Sequence, residues 1–189
     1  MRSVLSGSSA AAEALVSRHY GAVHRFCART AGRDRADDLC QDVFVRVFHR
    51  LGSYAGRASF RAWLFTVARN VCIDAGRKGK FRKTESLDRT SGRDGTSPLD
   101  TLASTEAGPD VGVERARLRQ ALSRAVDALP VEQREVFLLR EEAGLAFKEI
   151  ARITGISENT AKSRMRYGLE ALRRALVDAG WKDENDESR

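Results

Sequence analysis

The chain has 189 residues and a net charge of +7, with a pI of about 9.8. That length gives room for one large or two small domains, and the basic balance favours a polyanionic partner without saying which. No apolar run approaches a membrane span and the N-terminus lacks a basic-then-apolar leader, so no membrane insertion and a cytoplasmic location are expected.

Residues 1–11 are small and polar and read as a disordered start. A first helix is predicted from Ala12 to Thr30. Its apolar stripe is Leu15, Val16, Tyr20, Val23, Phe26 and Cys27, and Gly32 stops it. Asp34 is placed to cap a second helix, with Asp37 and Asp38 in the first turn, where the helix dipole favours negative charge. This helix runs to Leu51 and is expected to bury Leu39, Cys40, Val43, Phe44, Val47, Phe48 and Leu51. Gln41, Asp42, Val45, Arg46, His49 and Arg50 stay on or beside its polar face. Gly52–Ala58, GSYAGRA, is a loop with two glycines and one basic residue. Ser59 caps a third helix from Phe60 to Arg77, with Phe60, Trp63, Leu64, Val67, Ala68, Val71, Cys72 and Ala75 inward. Arg61, Phe65, Thr66, Arg69, Asn70, Ile73, Asp74 and Arg77 face outward. At this spacing Trp63 reads as core rather than as a platform for a base. The three helices define a first unit over residues 12–78, large enough for a marginal core.

Cys27, Cys40 and Cys72 lie on or near apolar faces and read as reduced, packed thiols. Because His24 and Cys27 sit three apart on one helix, a metal or redox site with Cys40 or Cys72 is the alternative.

Over residues 79–112 the periodicity stops. The stretch is rich in Gly, Ser, Thr, Asp and Pro, begins basic at Lys80, Arg82 and Lys83, and turns acidic by Asp94, Asp100, Glu106 and Asp110. It reads as an interdomain linker. A second unit, residues 113–179, opens with a helix to Leu129 that carries Leu118, Ala121, Leu122, Ala125, Val126 and Leu129 inward. Pro130 suits the first turn of the next helix, Val131 to Ala143, which contributes Val136, Phe137, Leu138 and Leu139 and ends at Gly144. Residues 180–189 form a charged tail.

Between these lies the most informative stretch, FKEIARITGISENTAKSRMRYGLEALRRAL, from Phe147 to Leu176. Phe147, Ile150, Ala151 and Thr154 share one face of a short helix, Gly155 permits the left-handed turn, Ile156 plugs the corner, and Ser157 caps a second helix. The second helix is expected to bury Ala161, Met165, Leu169, Leu172 and Leu176, while small Ala151 lets the pair cross closely. This is a helix-turn-helix, whose second helix enters the major groove of DNA. Its outward face carries Ser157, Glu158, Asn159, Thr160, Lys162, Ser163, Arg164 and Arg166, donors and acceptors suited to base edges and phosphates. The stretch holds seven basic and three acidic residues.

No nucleophile elbow, phosphate loop, metal-ligand cluster or pair of catalytic carboxylates is present, and His19, His24 and His49 are dispersed on helices. The residues therefore predict an all-α protein of two small helical domains on a flexible linker, with no catalytic residues, metal or cofactor. A conventional helix-turn-helix regulator with an N-terminal sensor or dimerisation domain is one reading of that plan.

The two halves taken together resemble one family. DRADDLCQDVFVRVFHRL and FRAWLFTVARNVCIDAGRK are similar to the region 2 helices of bacterial RNA polymerase sigma factors of the extracytoplasmic-function (ECF) group. LPVEQREVFLLREEAGLAFKEIARITGISENTAKSRMRYGLEALRR resembles their region 4. Nearly all of residues 12–178 is covered. Ala161 stands where the family often has valine, and the three cysteines are outside the pattern. The resemblance implies a protein that joins core RNA polymerase and directs it to promoter DNA. Asp38, Gln41, Asp42, Val45 and Arg46 match the face that docks on the β′ clamp coiled coil, and region 4 would meet the β flap. Arg57, Ser59, Arg61, Arg69, Asn70 and Arg77 match the part that opens and holds the −10 element. The helix-turn-helix residues would read the −35 element, and an anti-sigma factor is a further partner the resemblance admits.

Overall fold

The computed structural model of the protein describes residues 8–85 and 109–181. The expected N-terminal and C-terminal tails and most of the expected linker lie largely outside the described residues. Seven α-helices and no strand are found among the described residues: α1 (Ser9–Ala31), α2 (Ala36–Arg50), α3 (Phe60–Glu85), α4 (Pro109–Ala128), α5 (Val131–Glu141), α6 (Phe147–Thr154) and α7 (Glu158–Asp178). By contact the chain divides into two compact units. One holds α1, α2 and α3 with Phe137–Ala161; the other holds α4 with the start of α5 and Lys162 onward. No described helix is long and apolar enough to cross a membrane.

In the first unit α1, α2 and α3 pack pairwise. α1 starts earlier than predicted because Ser8 caps it: the Ser8 hydroxyl accepts the Ala11 N–H at 3.3 Å. Gly32, at φ +97°, ends the helix, a backbone angle that costs glycine little. Asp34 does not cap the next helix. A 3₁₀ turn, Arg33–Arg35, intervenes and leaves Asp34 exposed within it; α2 then starts without a side-chain cap. Arg35 ties this corner together, donating to the Ala31 carbonyl at 2.6 Å and to the Ala75 carbonyl at 3.3 Å.

The core of this bundle is Val23, Phe26 and Cys27 from α1, Cys40, Val43 and Val47 from α2, and Leu64, Phe65, Ala68 and Val71 from α3. Phe65, expected on the outer side, is only 1% exposed and meets Phe26 edge to face at 5.4 Å. α3 packs against both α1 and α2, so its apolar stripe is wider than a single-partner helix needs. Two residues expected inside are surface residues instead: Tyr20 and Phe48 are 44% and 37% exposed and line a shallow groove with Ala12 and Val16. α3 also continues to Glu85, past Gly79, where the periodicity had suggested a linker.

Further along, Ala125, Val126 and Leu129 are buried as expected, whereas Leu118 is 38% exposed. Pro130 stands one position before α5 rather than in its first turn, and its carbonyl accepts the N–H groups of Gln133 and Arg134 at 3.0 and 2.9 Å. Val136, Leu138 and Leu139 are buried, and Gly144, at φ +60°, closes the turn after α5.

Candidate nucleic-acid interface

The helix-turn-helix forms: α6 starts at Phe147 and ends before Gly155 as predicted, and α7 runs two residues past Leu176 to Asp178. α6 ends at Gly155, whose φ is +74° and whose N–H reaches the Ala151 carbonyl at 2.9 Å; the Ile156 N–H follows to the same carbonyl at 3.2 Å. A β-carbon at Gly155 would meet nothing within 4 Å, so the glycine is needed for its backbone angle and not for space. The Ser157 hydroxyl accepts the Thr160 N–H at 3.0 Å and pairs with the Thr160 hydroxyl at 2.8 Å, a cap that stabilises α7 by about 1 kcal/mol. Ala161, Met165 and Leu172 are buried. Leu169 is not: it is 47% exposed, and the inward position belongs to Gly168, packed within ordinary contact distance of Gln133 and Leu129.

Burying that stripe leaves the other face of α7 to solvent. Glu158, Asn159, Thr160, Lys162 and Arg166 are exposed, and Ser163 and Arg164 are half-buried. All of them lie in the N-terminal turns, the part of a recognition helix that reaches base edges. Sequence reasoning passed over Tyr167. It is 50% exposed, its ring lies 5.0 Å from the Arg166 guanidinium, and its hydroxyl accepts from Arg166 at 3.3 Å, which holds that cation on the open face.

A second set of candidates lies around the start of α3. The Tyr54 hydroxyl donates to the Ala58 carbonyl at 2.6 Å and so closes the loop that carries exposed Arg57. Beneath it, Tyr54, Phe60 and Trp63 form a mutual ring cluster with centroids 5.3–5.8 Å apart. Trp63 is half-buried in this cluster, and His19 packs on Phe60 at 5.5 Å. Burial, helped by Arg61 and Arg18, holds the His19 pKa below its ordinary value, so the ring is neutral at pH 7. The Ser59 hydroxyl caps α3 through the Ala62 N–H at 3.2 Å. Arg61, Asn70 and Arg77 are exposed and Arg69 is half-buried. Asn70 and Arg77, seven residues apart, share a helix face, and Arg69 is turned from Asn70 by about 100°.

On α2, Asp38, Gln41, Asp42 and Val45 are exposed, Val45 by 47%. Arg46 differs from them, because its guanidinium is paired with Asp74 of α3 at 3.1 Å. The alternative metal site does not assemble around His24, whose Nε2 faces Asp37 Oδ1 at 3.1 Å. Cys27, Cys40 and Cys72 are buried free thiols, with the Cys27 and Cys72 sulfurs 3.7 Å apart. Burial pushes the Cys40 thiol up to about 11, and the hydrogen bond with Cys72 raises Cys27 as well, so neither is a ready thiolate. Among the described residues no group of three His, Cys, Asp or Glu side chains could hold a metal ion.

Two family models match the chain, Sigma-70 region 2 over residues 15–82 and Sigma-70 region 4 over residues 119–172. The ECF RNA polymerase sigma factor SigL of Mycobacterium tuberculosis is 32% identical over 184 residues, covering 93% of this chain and 97% of that protein. SigE of Mycolicibacterium smegmatis is 29% identical over 86% of this chain, which spans only 60% of that relative. In fold, the chain is similar to the sigma factor RpoE solved in complex with the anti-sigma factor NepR from Bartonella quintana. That match has a TM-score of 0.69 at 23% identity over 87% of this chain and 96% of that one. The chain belongs to the ECF RNA polymerase sigma factor family, a family of promoter-directing regulators rather than enzymes.

Proposed function

We propose that residues 12–78 bind core RNA polymerase and hold the opened −10 element, and that residues 113–179 read the −35 element as duplex, with the linker between them. The observation that carries this reading is the pairing, on one chain and in order, of an exposed polar α2 face with a helix-turn-helix whose first turns are open. Asp38, Gln41, Asp42 and Val45 are the side chains proposed to meet the β′ clamp coiled coil, with Arg46 contributing from its pair with Asp74. Region 4 would meet the β flap. Arg57, Ser59, Arg61, Arg69, Asn70 and Arg77 are proposed for the −10 strand, where phosphate neutralisation and a hydrogen bond from Asn70 offset the cost of unstacking a base. The protein would act in the cytoplasm, without chemistry of its own, and an anti-sigma factor is a further expected partner.

A gel-shift on promoter duplex with and without core polymerase tests this against a conventional helix-turn-helix regulator. A sigma factor gives a specific complex only with the core enzyme, whereas a conventional regulator shifts a palindromic duplex alone.

Two substitutions probe the DNA-facing sets. Arg164→Ala or Lys162→Ala should weaken −35 recognition by about 1–3 kcal/mol wherever the residue reads a base. Transcription from a panel of −35 variants checks this, and an unchanged ranking of variants would remove the residue from the reading set. Asn70→Ala should slow strand opening by about tenfold or more if one buried hydrogen bond to a base is lost. The readout is permanganate reactivity of thymines near −10, and normal reactivity would clear Asn70 of the role.

A further inference from the structure

We propose that Cys27 of α1 and Cys72 of α3 are a modification site, a thiol pair that a small peroxide converts into a disulfide across the core of the three-helix bundle. The site depends on the packing of α1 on α3 alone, and not on the DNA or polymerase roles proposed above.

The two sulfurs lie 3.7 Å apart and share a hydrogen bond, although the residues are 45 apart in sequence. That is contact distance, so no atom lies between them. Two packed thiols would fill the core equally well pointing apart; these face each other. A disulfide bond is about 2 Å long, so the sulfurs need to close by less than about 2 Å. The movement is shared between two side chains on helices that already pack together. Cys27 is 0% exposed and Cys72 is 3% exposed. Such burial keeps out a protein or a bulky disulfide and leaves entry to a small, neutral oxidant.

The pair is asymmetric. The hydrogen bond from Cys27 lowers the Cys72 pKa from its ordinary value; burial opposes this, and the Arg35 guanidinium assists it. Arg35 is held near by its bond to the Ala75 carbonyl at 3.3 Å, about one turn beyond Cys72 on α3. The same hydrogen bond raises Cys27, so Cys72 ionises first and is the attacking sulfur. Its thiolate takes one peroxide oxygen, the O–O bond breaks, and hydroxide leaves to collect the Cys72 proton as water. The Cys27 sulfur then attacks the sulfenic sulfur. The S–S bond forms, the S–O bond breaks, and the Cys27 proton departs with that oxygen as a second water. Two thiols thus lose two electrons and two protons, and one peroxide is reduced to two waters. Cys40 of α2 lies within electrostatic range of both sulfurs, but its thiol, pushed up to about 11 by burial, stays protonated and outside the exchange. In a reducing compartment the bond is transient, formed by the oxidant and reversed by small thiols.

The test uses the full chain, reduced, freed of reductant and treated with a small excess of hydrogen peroxide. Remaining thiols are then blocked and the chain is mapped by mass spectrometry. Free cysteines should fall from three to one. The monomer should lose about 2 Da, a peptide joining Cys27 to Cys72 should appear, and dithiothreitol should reverse both changes. The cross-linked chain should melt several degrees higher, because the bond closes a long loop. Cys27→Ala or Cys72→Ala should abolish the bond and the shift in melting, whereas Cys40→Ala should keep both. Should a core alanine unfold the chain, wild type treated in denaturant decides. There the three cysteines pair without preference, and the folded chain should favour Cys27 with Cys72 by about tenfold or more. Three free thiols after treatment, a bond that uses Cys40, a disulfide-linked dimer, or sulfinic acid on Cys72 with Cys27 still free would overturn the proposal. So would equal pairing in the folded and denatured chains, or a lower melting temperature after cross-linking, which would mean that the bond forms only by breaking the core.

Discussion

Asp42→Arg is expected to lower affinity for core RNA polymerase by about tenfold or more, with little change in folding stability. Asp42 is exposed on α2 with Gln41 and Asp38 beside it and Val45 nearly half open. A polar helix face edged by an exposed valine suits a second helix laid against it. Reversing the charge there places a cation where the proposed partner meets a carboxylate. Surface changes away from core and caps usually shift stability by less than about 0.5 kcal/mol, so the loss should appear in binding and not in melting. Titration of labelled protein with core enzyme checks this. Unchanged affinity would move the docking face elsewhere.

Phe65→Ala should have the largest effect on the fold, about 3–5 kcal/mol, because the ring is fully enclosed and its removal leaves a cavity between α1 and α3. Domain stabilities are only about 5–15 kcal/mol, so much of the bundle's margin would go. Phe48→Ala, the same chemistry at a partly exposed site on α2, should cost far less. Hydrogen exchange over α1–α3 separates them: protection should collapse in Phe65→Ala and persist in Phe48→Ala. Equal protection in the two variants would mean that Phe65 does not close the core.

The contrast between these two phenylalanines shows what the sequence made legible. Periodicity finds a helix and one face, and for α6 it did so to the residue, since Gly155 and Ser157 are local signals whose physics needs no partner. Phe65 was misplaced because its burial comes from α1, a partner periodicity does not see. Leu169 and Gly168 illustrate a different failure. Counting every fourth residue from Ala161 lands on Leu169, but the helical repeat of 3.6 lands on Gly168, and a residue without a side chain gives no apolar signal. Asp34 had the chemistry of a cap, yet the 3₁₀ turn moved the helix start past it. At the candidate site, the recognition-helix residues were readable from type and spacing. The engagement of Arg46 by Asp74 and of Ser59 by Glu149 was not, because each depends on residues far apart in the chain.

Run-off transcription with purified core polymerase on a library of genomic promoters tests most directly whether this chain confers promoter choice. Added to core enzyme, the chain should yield a small set of defined transcripts whose upstream DNA shares one pair of elements near −35 and −10. Transcripts no different from those of core enzyme alone would contradict it, most plainly if the chain by itself bound a palindromic duplex.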